Sequence, residues 1–190
     1  MGKPFHSRVQ QVVRKPANEQ RLLRHPEIIS ANGHLLADGI NSPGVPLDEA
    51  MRLVDAWGRA GRPEQAAAAL SLFLEQNPQN LTAQGLRGRL QIETGEADAG
   101  IETLEAVRRI AGNRDAALLA DLARGYAATD DGAIARRYAR AAYALSPMNP
   151  GVCDAYALAL AADGDLAGAR QLATKALALA PGDPRIASPA

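Results

Sequence analysis

The chain has 190 residues, of which 47% are apolar and only 4% aromatic, and its 21 basic residues balance 21 acidic ones. It is long enough for one ordinary core, carries no overall basic footprint for nucleic acid, and has a single cysteine, so an intrachain disulfide is excluded. Alanine and leucine supply most of the apolar content while valine and isoleucine are sparse, a balance that predicts helices rather than a sheet.

Residues 1–46 form a basic N-terminal segment, with Lys3, Arg8, Arg14, Lys15, Arg21 and Arg24 against Glu19, Glu27 and Asp38. This segment is expected to be partly irregular. Val9, Val12, Val13 and Leu22 suggest one interrupted helix, and a degenerate capping helix is expected over 27–38 through Ile29, Gly33 and Leu36, with a hairpin around "ANG" as the alternative. "NSPGVP" at 41–46 reads as a linker. The first residues have charge but no apolar signal region, and no run of 18 apolar residues exists to cross a bilayer. The expected location is cytoplasmic, or periplasmic if a leader has been removed.

From residue 47 the chain repeats. Pro78, Pro147 and Pro181 are spaced 69 and 34 apart, and Gly61, Gly95 and Gly164 are spaced 34 and 69. The small residues Ala66, Gly100, Ala135 and Ala169 follow at 34, 35 and 34. Three residue classes with one period define four units, 47–80, 81–115, 116–149 and 150–183, followed by a tail at 184–190. Each unit reads as two amphipathic helices. In the first, Ala50, Leu53, Val54 and Trp57 share a face, Gly61 breaks the helix, and Ala66, Ala69, Leu70 and Phe73 share the next face. Pro78 then stops it. Expected helices lie near 47–60, 63–76, 81–94, 97–110, 116–129, 132–145, 150–163 and 166–180. Trp57, Leu70, Leu104, Tyr126 and Leu160 are expected in the core. Two departures stand out: the second unit ends with Gly112 instead of proline, and the third has Asp130 and Asp131 where a turn glycine belongs, which blurs its boundary.

These features resemble the tetratricopeptide repeat family. The small-residue positions Gly88, Ala123 and Ala157, the aromatics Trp57 and Tyr126, the turn glycines, the Ala66/Ala135/Ala169 series and the closing prolines carry the resemblance over 47–183. It implies an all-α fold, an α-solenoid of antiparallel helix pairs whose first helices line a concave groove. Pentatricopeptide repeats have a similar length, but the turn-glycine and small-residue positions fit less well, and the acidic balance after residue 46 disfavours an RNA track.

Little in the chain points to chemistry. His6, His25 and His34 lack partners at metal-binding spacing, and no phosphate-binding glycine loop occurs. Cys153 falls on an apolar helix face and reads as a buried structural thiol. No enzyme activity, cofactor or metal is therefore expected. The candidate partner groove comprises Met51, Asp55, Arg59, Arg89, Glu93, Asp121, Arg124 and Asp154. Arg89 and Arg124 occupy equivalent positions in successive units and could grip a carboxylate or acidic peptide, against the alternative of pairing with Glu93 and Asp121. Reversal of both to glutamate is expected to weaken partner binding with little change in melting temperature. The lysine and asparagine clamp used by chaperone-tail binders is missing, since its positions hold Met51, Asp55, Leu86 and Asp121.

The function implied is a non-catalytic module that binds a partner protein or peptide, without nucleic acid or a membrane span. Two alternatives are an array attached to a larger bacterial enzyme, of sulfotransferase or glycosyltransferase type, and a cell-envelope factor for pilus or exopolysaccharide assembly. The last helix carries Leu166, Leu172, Leu177 and Leu179, which do not share one narrow stripe. Part of it is expected to be covered by a second copy, as a homodimer through the C-terminal repeat, or by further protein.

Overall fold

A computed structural model describes residues 51, 52, 54, 56–58, 60–182 and 186. The readings made above for 1–50, for Leu53, Asp55 and Arg59, and for the tail at 184–190 apart from Ile186, lie outside these residues. The described residues are helical at 51–52, 54 and 56–58 (α1), followed by α2 (Pro63–Gln76), α3 (Leu81–Glu93), α4 (Ala97–Ala111), α5 (Ala116–Ala128), α6 (Gly132–Leu145), α7 (Pro150–Ala162) and α8 (Leu166–Leu179). No strand occurs among them. Helices adjacent in sequence pack as pairs, and α5 also packs along α7. This is the all-α helix-pair solenoid expected from the period, with the boundaries of α2 to α8 shifted by no more than a residue or so.

The first helices of the last three pairs start on side-chain caps. Asn80 accepts from the Ala83 N–H at 3.0 Å, Asp115 from those of Ala117 and Leu118 at 2.9 and 3.2 Å, and Asn149 from those of Gly151 and Val152 at 2.9 and 3.3 Å. Each cap satisfies backbone donors that a helix start leaves open. The turns inside the pairs are also alike. Gly61, Gly95 and Gly164 have φ of +69°, +89° and +88°, the left-handed conformation that lets two terminal carbonyls be satisfied at once. At the first turn the Gly61 N–H donates to the Gly58 carbonyl and the Arg62 N–H to that of Trp57, both at 3.0 Å.

The third turn keeps this geometry without glycine. Asp130 sits at φ 62°, its N–H donating to Ala127 at 3.4 Å and that of Asp131 to Tyr126 at 2.9 Å. Asp130 is therefore the turn residue, and the boundary blurred in the sequence is in phase. Gly132 serves another purpose: a Cβ there would lie 2.5 Å from the Ala162 carbonyl atoms, so α6 starts in backbone contact with the end of α7.

Trp57, Leu70, Leu104 and Leu160 are buried as expected, with at most 5% of their surface exposed. Tyr126 is only half-buried, because its hydroxyl turns outward to the Glu105 carboxylate at 3.4 Å while its ring stacks on Tyr138 at 5.6 Å; a tyrosine interface keeps its polar end partnered. The core is segmented. Val54, Trp57, Leu70, Phe73, Leu86 and Leu90 form one cluster across α1–α3, and Leu104, Leu119, Leu122, Ala139 and Val152 belong to another across α4–α7. Between them α3 and α4 meet at Gly88 and Gly100, where an added Cβ on Gly100 would come 2.7 Å from the Gly88 carbonyl oxygen.

Candidate functional site

Two hollows run along the first-helix face and share Arg89, Ala117 and Asp121 on their walls. One, of about 240 Å3, is bordered by Met51, Thr82, Gly85, Leu86, Val107 and Leu118; the other, of about 260 Å3, by Glu93, Arg124, Asn149, Gly151, Val152 and Ile186. Helices α3, α5 and α7 position most of these side chains because the 34-residue period returns the same helix face to the same side, while Met51 comes from α1, Val107 from α4 and Ile186 from beyond α8.

The charged groove candidates divide into two kinds. Arg124, on α5, donates to Asp121 Oδ1 at 3.0 Å, to the Gly151 carbonyl at 2.6 Å and to Asp154 Oδ2 at 3.2 Å. Three acceptors from two helices make it a staple between α5 and α7. Asp154 is buried, with 4% of its surface exposed, so its carboxylate is committed to the fold rather than offered to a partner. Burial pushes the Asp121 carboxyl up to about 6, although the Arg124 and Arg89 guanidinium groups pull the other way. Arg89 is different: its side chain is 32% exposed, and its Nε lies 3.6 Å from Glu93, a carboxylate that is itself 46% exposed. Such a loose i,i+4 pair contributes little to stability. The expectation that Arg124 could be reversed without affecting the melting temperature is therefore corrected: a glutamate there would face Asp121 and Asp154 within a few ångströms, inside a low-polarity wall.

A second polar cluster sits on the second-helix side. Glu105 accepts from Tyr138 at 2.5 Å and from Arg108 at 2.8 Å. Burial raises its carboxyl, but the Tyr138 hydroxyl and the Arg108 guanidinium outweigh it, and the net shift is downward. The Tyr138 contact ties α4 to α6. Among the described residues no group of three or more His, Cys, Asp or Glu could hold a metal, and no helix is long and apolar enough to cross a membrane.

Three features of the hollows escaped sequence reading: the Gly151 carbonyl under Arg124, the open flank of Gly85, and Ile186 on the wall. Only Ile186 left a signal, since it stands 34 residues after buried Val152.

Residues 59–124 match the tetratricopeptide repeat family. Over these residues the chain carries the tetratricopeptide repeat pattern. Its fold is similar to a thermophilic tetratricopeptide repeat protein of Thermus thermophilus, at 20% identity, covering 70% of this chain and 74% of that one with a TM-score of 0.61. It is also similar to MamA from Desulfovibrio magneticus RS-1, at 19% identity, covering 86% and 91% with a TM-score of 0.61, and to MamA AMB-1, at 19%, covering 84% and 95% with a TM-score of 0.56. No curated protein sequence matches the chain.

Proposed function

We propose that the tetratricopeptide array is a non-catalytic protein-binding module and that a partner segment lies in the hollow between α3 and α5. The observation that carries this reading is Gly85. It lies in the interior of α3, and an added Cβ would meet nothing within 4 Å. Glycine at such a position costs a helix about 0.5–1 kcal/mol relative to alanine. Gly88, three residues on, has a packing reason to be glycine; Gly85 has none inside the fold, and its missing side chain keeps the hollow open.

The lining indicates what would fit. Met51, Leu86, Val107 and Leu118 supply an apolar floor, and Arg89 stands at the junction with the second hollow. A short segment with one aliphatic or aromatic side chain and a neighbouring carboxylate matches that arrangement. Arg89 is the arginine that suits that role, because it borders both hollows and is more exposed than Arg124, 32% against 26%.

Filling the hollow tests the reading. Gly85→Phe places a ring in open space while raising helix propensity, so the fold is kept. Proteins retained by the wild-type chain are expected to be lost with Gly85→Phe and weakened by Arg89→Glu at physiological salt. Equal retention by all three chains would move the interface off this face. The alternatives of an attached enzyme or a cell-envelope assembly role gain no specific support from the described residues.

A further inference from the structure

The sequence after α8 repeats the one that opens a helix pair. The caps Asn80, Asp115 and Asn149 each precede, by three residues, a buried apolar residue: Ala83 at 0%, Leu118 at 6% and Val152 at 1% exposed. The sequence Asn149-Pro150-Gly151-Val152 returns 34 residues later as Asp183-Pro184-Arg185-Ile186. The turn leading into it also returns. Ala180 N–H donates to the Ala176 carbonyl at 3.0 Å, as Ser146 N–H does to Ala142 at 3.0 Å, and Pro181-Gly182 forms the turn that Pro147-Met148 forms one unit earlier. Ile186, in the position of Val152, is only 7% exposed and packs with Cys153 and Ala176, flanked by Tyr143, Leu177 and Leu179.

We propose that the end face of α7 and α8 is a docking slot for the opening turn of a helix that begins Asx-Pro-x-aliphatic, and that this chain fills the slot in cis with Ile186. The slot is the acceptor surface that each helix pair presents to the first helix of the next one. Its floor is apolar, and the cation beside it is engaged, Lys175 Nζ donating to the Tyr143 hydroxyl at 2.7 Å. An aliphatic side chain therefore suits it and a carboxylate does not. Leu177 and Leu179, part of the helix expected to be covered by a second copy or by further protein, pack against the cluster that includes Ile186. This inference stands apart from the groove reading and survives its failure.

Cys153 is the chain's single cysteine, fully buried beneath Ile186, so its reaction with a water-soluble aromatic disulfide reports the state of the slot. In the full chain, Ile186→Asp and the milder Ile186→Ser should each speed that reaction about ten-fold or more through local opening. Ile186→Val should stay close to wild type, and all three should keep their helical circular dichroism. A peptide of residues 180–190 added in trans to Ile186→Ser should restore protection saturably, whereas the same peptide carrying the Ile186→Asp change should not. Wild-type reactivity in both Ile186→Asp and Ile186→Ser would overturn the seating of Ile186. Faster reaction without protection by either peptide, or with equal protection by both, would overturn the docking slot.

Discussion

The joint between the third and fourth helix pairs and the joint between the second and third are built from the same period but closed differently. At the former, α5 packs along α7 over much of its length and Arg124 bridges them through Asp121, Asp154 and the Gly151 carbonyl. At the latter, α3 meets α5 over a shorter stretch, with a hollow between them, an uncrowded Gly85, and the loose Arg89–Glu93 pair. Arg89 and Arg124 are 35 residues apart in equivalent positions, yet one holds helices together and the other borders open space. Equivalence in a repeat fixes where a side chain starts; its role depends on what the next unit offers it. Arg124 finds Asp154 and Gly151 on α7, whereas the α5 position that corresponds to Asp154 holds Ala120.

The largest expected effect comes from breaking this contrast directly. Arg124→Met leaves two carboxylates in the wall without their cation, at a cost of about 3 kcal/mol, the low end for a buried pair because Arg124 is about a quarter exposed. Arg89→Met should change stability by less than about 0.5 kcal/mol. Urea denaturation of the two variants measures both, and equal losses would mean that the two joints do not differ in the way the geometry states.

The same staple sets a pH dependence. The Asp121 carboxyl is raised from 3.8 to about 6 in the folded chain. The folded state then holds its proton more tightly than the unfolded state does. This contribution is greatest below about pH 4 and is lost as pH rises toward 6. Asp121→Asn should remove that decline, flattening stability by about 1–3 kcal/mol across this window relative to wild type. Glu105, lowered from 4.5, acts in the opposite sense and at lower pH, so the difference between Asp121→Asn and wild type isolates Asp121. A slope unchanged by the substitution would assign the pH dependence to other groups.

Two glycines in α3 sharpen the comparison further. At Gly88 an added Cβ would lie 2.7 Å from Leu104 Cγ and 3.1 Å from the Gly100 carbonyl oxygen. Gly88→Ala should therefore cost about 1–3 kcal/mol through forced repacking. Gly85→Ala, on the open side, should instead stabilise the chain by about 0.5–1 kcal/mol. Thermal or urea midpoints moving in opposite directions would separate a glycine required by packing from one that keeps the hollow clear.

Much of this was legible in the sequence because it is local. Helix periodicity, the prolines and the turn glycines each act within a few residues, and the period of 34 multiplies the signal. The groove resisted for the opposite reason. Arg124 reaches acceptors 27 and 30 residues away, and no spacing rule distinguishes that staple from the open position of Arg89. Asp154 was placed on the groove by its helix position, but its burial depends on the Arg124 side chain arriving from another helix. Tyr126 followed the apolar stripe, while its hydroxyl answered to Glu105 on α4. Ile186 belongs to a tail with too few residues to show a period by itself, and only alignment with Val152 reveals it.

The smallest expected effect tests whether the interrupted third turn is as regular as its neighbours. Asp130 adopts φ 62°, a conformation that costs an ordinary side chain about 1–2 kcal/mol, less for aspartate because its short polar side chain can bond locally. Its N–H bond to Ala127, 3.4 Å, is longer than the corresponding 3.0–3.1 Å bonds of Gly61, Gly95 and Gly164. Asp130→Gly relieves the strain but loosens the unfolded chain, an entropy term of about 0.4–1 kcal/mol in the other direction. The net gain should be about 0.5 kcal/mol, read as a higher urea midpoint at unchanged slope. A loss instead of a gain would show that the Asp130 carboxylate itself stabilises the turn, for example through the nearby start of α6, where a negative charge is favoured. In that case the third turn would be a second solution to the same geometry rather than a weakened copy of the glycine one.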